Sequence, residues 1–232
     1  MSKPYVIGID MGGTNTVFGI VDARGIVLAS SSIKTGKHSN IVDYIDELHH
    51  EIMRLLEAND AVDKINGIGI GAPNANYFTG MIEENVNLPW PSPIPLAQML
   101  MDKFNIPVAI TNDANAAAIG EMTYGAARGL RDFIMITLGT GVGSGIVVNG
   151  QLVYGHDGFA GELGHMIVKR NNGRLCGCGR TGCLEAYCSA TGVARTAREF
   201  LETRQDPSTL RNLQIEDITS VSYTHLTLPT IL

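Results

Sequence analysis

The chain has 232 residues, of which 44% are hydrophobic and 17% charged, with a formal net charge of −6. This composition describes a globular chain with a sizeable core, built as one large domain or two lobes. The acidic balance argues against nucleic acid as a main partner. No apolar run approaches the ~20 residues that span a bilayer, so no membrane partner is expected.

Residues 5–10 (Tyr-Val-Ile-Gly-Ile-Asp) form a short, β-branched run that predicts a buried strand. Gly12-Gly13-Thr14-Asn15 breaks it. Residues 16–21 and 26–32 predict two more strands, with a turn at 22–25. Connections this short predict an antiparallel meander. Ser39 or Asn40 can cap the next element, where Ile41, Ile45, Leu48, Ile52, Leu55 and Leu56 recur at helical spacing. Residues 65–70 predict a strand running into Gly71-Ala72-Pro73. Residues 74–95 form a long, proline-rich loop that holds the single tryptophan, Trp90, and loops of this length are functional or disordered. A helix over 95–104, a strand over 108–111 and a helix of small residues over 114–124 follow.

Residues 132–138 predict a strand that ends in Gly139-Thr140-Gly141-Val142-Gly143. Strands over 144–148 and 151–154 flank an Asn149-Gly150 hairpin turn. This repeats the opening order of strand, Gly/Thr turn, strand, tight turn and strand. The repetition points to an internal duplication with one lobe per copy and a ligand clamped between them.

Each Gly/Thr turn exposes backbone N–H groups and a hydroxyl, which bind phosphate oxygens without a basic side chain. The candidates are Gly12, Gly13, Thr14 and Asn15 in the first turn and Gly139, Thr140 and Gly141 in the second. Neither is a Walker loop, because no Gly-Lys-Ser/Thr follows, and a plain hairpin turn is the alternative reading. Asp10, at the end of the first strand, suits Mg²⁺ held directly or through water. Asn112-Asp113 stands where a strand gives way to a helix. It can cap that helix, or present a rigid carboxylate to accept a hydroxyl proton, or do both.

Three of the four cysteines, Cys176, Cys178 and Cys183, fall within eight residues. With His165 they suggest a tetrahedral, structural Zn²⁺ site, since four protein ligands leave no open position for water. Cys188 competes with His165 for the fourth place, and three free thiols are the alternative. Disulfides are rare in the cytoplasm, the compartment expected for a chain without a secretory signal. Glu162 and Glu185 flank the cluster. They are either solvated loop charges or fixed acceptors for polyol hydroxyls.

The segments Asp10-x-Gly-Gly-Thr-Asn, Asn112-Asp113-Ala-Asn-Ala-Ala, Leu138-Gly-Thr-Gly-x-Gly, Gly161-Glu-Leu-Gly-His and Cys176-x-Cys-Gly-x-x-Gly-Cys-x-Glu185 resemble the motif series of the ROK family of repressors and sugar kinases. They occur in family order over residues 5 to about 200. The stretch from Gly71 to Trp90 resembles most the glucokinase branch. The resemblance implies an α/β, actin-like ATPase (ribonuclease H-like) fold, duplicated into two lobes with central mixed sheets. Residues 1–125 would form the first lobe and 126–220 a partial second lobe. It implies ATP-dependent phosphorylation of a hexose, first of all glucose at its 6-hydroxyl, with Asp113 as general base. Gly71, Asn87, Asn112, Asp113, Glu162, His165 and Glu185 would bind the sugar. Asp10 and the two glycine turns would serve ATP and Mg²⁺. His165, Cys176, Cys178 and Cys183 would hold structural Zn²⁺. A homo-oligomer, dimer or tetramer, is also implied.

Family members carry further helices that complete the second lobe, and these are not legible here. The second lobe is therefore expected to be incomplete and to expose apolar surface. A helix is expected over 195–204 and a polar loop over 210–219. Residues 221–232 are apolar, β-prone and free of charge, which sets them apart as a non-native tail. Alternative functions are a kinase for N-acetylmannosamine, N-acetylglucosamine or fructose, and a sugar-binding remnant without turnover. A sugar-responsive repressor would need a helix-turn-helix ahead of Asp10, where the sequence leaves no room for one. Neither the hexose nor a phosphoryl donor other than ATP is legible.

Overall fold

The computed structural model describes residues 3–84, 88–205 and 207–212. Asn87, most of the polar loop and the tail over 221–232 lie outside the described residues. The chain divides into two compact units, one of residues 1–135 and 145–160, the other of residues 136–144 and 161–232.

The first unit is built on a five-stranded sheet. Strands β1 (Tyr5–Met11), β2 (Asn15–Asp22) and β3 (Val27–Lys34) form the antiparallel meander, with Tyr5 opposite Asp22 and Asn15 opposite Lys34. Strands β4 (Ile65–Gly71) and β7 (Val108–Thr111) then add in parallel, giving the order β3-β2-β1-β4-β7. Helix α1 (Ile41–Ala58) joins β3 to β4, and Asn40 caps it by accepting the N–H of Val42. Its apolar stripe of Tyr44, Ile45, Leu48, Ile52 and Leu56 is buried in one core with Ile7, Ile9, Phe18, Ile20 and Ile70. Helix α2 (Leu96–Phe104) adds Leu96 and Leu100 to that core. Helix α3 (Asp113–Tyr124) starts one residue before the expected position.

The proline-rich loop is pinned to this core. It contains a two-stranded hairpin of β5 (Ala75–Asn76) and β6 (Met81–Ile82), and Ile82 also bridges Ile94. Trp90 is buried against Tyr44, with ring centroids 4.6 Å apart, and its Nε1 donates to the His38 carbonyl at 3.0 Å. Hydrophobic burial of that ring explains how so long a loop is held.

Strands β8 (Phe133–Leu138), β9 (Val142–Val148) and β10 (Gln151–Leu152) form a second sheet in the order β10-β9-β8. Asn149 and Gly150 both adopt positive φ, as a two-residue hairpin turn requires. Alternate residues of β8, Ile134, Ile136 and Leu138, are exposed. In the second unit, isolated bridges Ile167–Cys183 and Leu175–Thr181 fold residues 167–183 into a knuckle. Helices α4 (Glu185–Cys188) and α5 (Ala190–Thr203) follow it, with α5 beginning five residues earlier than expected.

Candidate active site

The first glycine turn is tight, with Gly12 N donating to Asn15 O at 2.9 Å. A buried hydroxyl chain holds it from below. Tyr44 Oη lies 2.6 Å from Thr16 Oγ1, which lies 2.9 Å from Thr35 Oγ1. Thr35 Oγ1 then donates to the Gly12 carbonyl at 2.7 Å, and Thr35 N donates to Thr14 O at 3.0 Å. The upper side of the turn, at Gly13, Thr14 and Asn15, stays exposed. Asp10 stands at its foot. Lost hydration, and then the negative charge of Asp113, raise its carboxyl above the ordinary value. Two carboxylates that repel each other fit a divalent cation, which would relieve the repulsion.

Asn112 is the N-cap of α3, and its Oδ1 accepts Ala114 N at 2.9 Å. Asp113 is the first helical residue, and its Oδ1 accepts the same N–H at 2.7 Å. The capping role and an exposed, oriented carboxylate are therefore realised side by side. Gly71 ends β4 directly beneath. A Cβ there would lie 3.2 Å from Ala116 Cβ and 3.6 Å from Asp113 Cα, so a side chain would push the start of α3 away. The nearby cavity of about 630 Å³, lined by Asp10, Gly71, Thr111, Tyr77 and Tyr154, opens over the uncovered sheet face at Val17 and Val27. Its lining is mostly apolar, which suits no phosphate group.

In the second unit, Gly139 N donates to Gly141 O at 3.0 Å and closes the second glycine turn. Glu185 Oε2 accepts Val142 N at 3.0 Å, and Ala190 N donates to Gly139 O at 2.9 Å. A Cβ on Gly141 would come within 2.5 Å of Glu185 Oε2, so glycine is what lets the carboxylate reach the turn. Glu162 is exposed and leads into a short 3-10 turn, Leu163–His165.

The ligand atoms of His165, Cys176, Cys178 and Cys183 lie within 4.8 Å of one another. Cys178 Sγ is 3.7 Å from Cys183 Sγ, and Cys176 Sγ is 3.7 Å from His165 Nδ1. A tetrahedron with metal–sulfur bonds of about 2.3 Å has edges of about 3.8 Å, so the donor set and spacing fit Zn²⁺. Burial pushes the Cys176 thiol up to about 12 and also raises that of Cys183. The Arg180 N–H on its sulfur lowers Cys178 to about 6. Buried sulfurs in this state need a cation before they ionise. Cys188 ends α4 and is not one of the four, so the histidine is the fourth candidate ligand. Glu185 Oε1 lies 3.6 Å from Cys176 Sγ, which joins the cluster to the second glycine turn through one carboxylate.

The sequence profile of the ROK family matches residues 6–226. The chain belongs to the ROK family. A glucokinase of Halalkalibacterium halodurans is 41% identical over 207 residues, covering 86% of this chain and 61% of that protein. A xylose repressor of Bacillus spizizenii is 35% identical over 196 residues, covering 83% of this chain and 50% of that protein. The ROK family glucokinase of Streptomyces griseus, solved in complex with glucose and AMPPNP, superposes with a TM-score of 0.72 at 31% identity. That match covers 97% of this chain and 72% of the solved one. The chain thus spans about three fifths of the length of the glucokinases it matches. Its fold is the actin-like ATPase fold of ROK sugar kinases, with mixed sheets.

Within this ROK chain, the structure brings His165, Cys176, Cys178, Cys183 and Glu185 together, and separately groups Asp10, Gly71, Asn112 and Asp113. Asn87 is outside the described residues. Among the described residues, no helix is long and apolar enough to cross a membrane. Three features escaped the sequence reading. The hydroxyl chain of Tyr44, Thr16 and Thr35 joins residues from three elements. The Val142 N–H that holds Glu185 is a backbone group. Arg174 is one of three basic residues in the polar stretch 169–174, and nothing in its spacing marks it.

Proposed function

We propose that the chain carries the site of an ATP-dependent hexose kinase, with glucose as the first candidate substrate. The observation that supports this best is the carboxylate of Asp113, exposed and oriented at the first turn of α3. It accepts the proton of a sugar hydroxyl as that oxygen forms a bond to the terminal phosphorus of ATP and the bond from phosphorus to ADP breaks. Asn112, Glu162, His165 and Glu185 hold the sugar ring, with Gly71 and Asn87 as further contacts. The backbone of Gly12, Gly13, Thr14, Asn15, Gly139, Thr140 and Gly141 takes phosphate oxygens. Asp10 holds Mg²⁺, which neutralises charge on the transferred group. His165, Cys176, Cys178 and Cys183 hold Zn²⁺, which makes the knuckle rigid and leaves the second nitrogen of His165 for a sugar hydroxyl.

The test is ADP release, measured in turn with glucose, fructose, N-acetylmannosamine, N-acetylglucosamine and xylose. Mg²⁺-dependent release with a hexose, and most with glucose, is expected. A second reading, a sugar sensor without turnover, is favoured by the 35% identity to a xylose repressor. Sugar binding with no ADP release from any of the five would select it.

A further inference from the structure

We propose that Arg174 is a positioning residue, which sets the carboxylate of Glu185 against the sugar. The proposal rests on the reading of Glu185 as a sugar ligand. Arg174 belongs to the knuckle, two residues before Cys176, and its side chain is only 9% exposed. Its Nη1 donates to Ala186 O at 3.1 Å, Gly192 O at 3.0 Å and Thr196 Oγ1 at 2.9 Å. Its Nη2 donates to Glu199 Oε2 at 2.6 Å. The guanidinium also lies over the Tyr187 ring, 4.7 Å from its centroid, and Arg174 N donates to Tyr187 Oη at 2.9 Å. One side chain therefore grips both α4, through Ala186 and Tyr187, and α5, through Gly192, Thr196 and Glu199.

This grip matters because α4 has only four residues and cannot hold itself helical. Glu185 is its first residue and immediately precedes Ala186. A metal in the Cys/His cluster fixes the knuckle, and Arg174 fixes α4 relative to the knuckle. Together they set the direction of the Glu185 side chain. The pair with Glu199 adds little by itself, since Glu199 is 46% exposed. The neutral acceptors carry the argument. They need a planar fork with several donors and a flat face for Tyr187, which lysine does not offer.

The experiment compares R174K with the wild-type protein in zinc content, in KM for glucose and for ATP, and in kcat. Zinc should stay at the wild-type stoichiometry. KM for glucose should rise about tenfold or more, as for a weakened hydrogen bond to a charged group, with KM for ATP within about twofold and kcat changing less than KM for glucose. A merely structural role would reduce the active fraction and leave KM untouched. R195Q removes a 55%-exposed partner of Glu199 and should keep wild-type values. If R174K does not accumulate as folded protein, T196V removes one neutral acceptor and should raise KM for glucose by a smaller factor without loss of zinc. Wild-type KM for glucose in R174K, or in T196V where R174K does not fold, overturns the proposal, as does zinc loss in step with the rise in KM. A wild-type protein that neither binds nor phosphorylates a hexose refutes the kinase reading instead.

Discussion

Glu185 Oε2 accepts the backbone N–H of Val142 at 3.0 Å, which ties the carboxylate beside the Cys/His cluster to the turn that begins at Gly139. Through this bond the proposed sugar ligand and the proposed phosphate turn share a mechanical link. A methyl group at position 141 would collide with that oxygen at 2.5 Å. G141A should therefore dislodge the carboxylate and raise KM for both glucose and ATP, each by about tenfold. E185Q keeps an acceptor for Val142 but loses the charge, and should raise KM for glucose more than that for ATP. Steady-state kinetics with each substrate varied in turn will separate the two patterns.

The hydroxyl chain under the first glycine turn predicts a stability effect. T16V leaves the buried Tyr44 hydroxyl without its partner and should cost about 1–3 kcal/mol in urea unfolding. Y44F should cost less, because Thr16 keeps its contact with Thr35. Burial raises Tyr44 from 10.0 to about 12, so the folded state keeps this proton longer than the unfolded state. Stability from this group is complete below about pH 10 and falls as pH rises from there towards about pH 12. Y44F should flatten that decline.

The fold was legible wherever one face of an element is buried. The apolar stripe of α1 and its Asn40 cap are local patterns, and both appear as expected. The Cys/His cluster was legible because its three cysteines are close in sequence; their spacing alone left Cys188 in competition with His165, the family resemblance pointed to His165, and the fold gathers His165 with the three cysteines. What stayed hidden depends on distant residues. The order within the proline-rich loop comes from Trp90 packing on Tyr44. Arg174 acquires meaning only when Ala186, Gly192 and Thr196 converge on it. An arginine in a polar stretch carries no signature of its future acceptors.

Metal removal gives a third prediction. A strong zinc chelator should lower the melting temperature and weaken glucose binding together, and added Mg²⁺ should restore neither. Cys178 is exposed and its thiol is lowered to about 6 without a metal, so chelated protein should be alkylated there quickly at neutral pH. Zinc-loaded protein should be protected. Mass spectrometry of the alkylated chain reads both states.

Asp10 has the opposite sign from a salt-bridged carboxylate. Its folded pKa is raised, so its ionised form opposes folding once pH rises through that value. D10N should melt at a higher temperature than the wild type at neutral pH without Mg²⁺, with the difference vanishing below about pH 3. Mg²⁺ should stabilise the wild type and leave D10N unchanged.

The central claim is that Asp113 takes the proton of the sugar hydroxyl. D113N tests it most directly, because asparagine keeps an acceptor for Ala114 N and so preserves the start of α3. The account predicts that kcat falls at least about 100-fold, the usual contribution of a general base, while glucose affinity by calorimetry stays within about tenfold of the wild type. A D113N protein that phosphorylates glucose at the wild-type rate would contradict it.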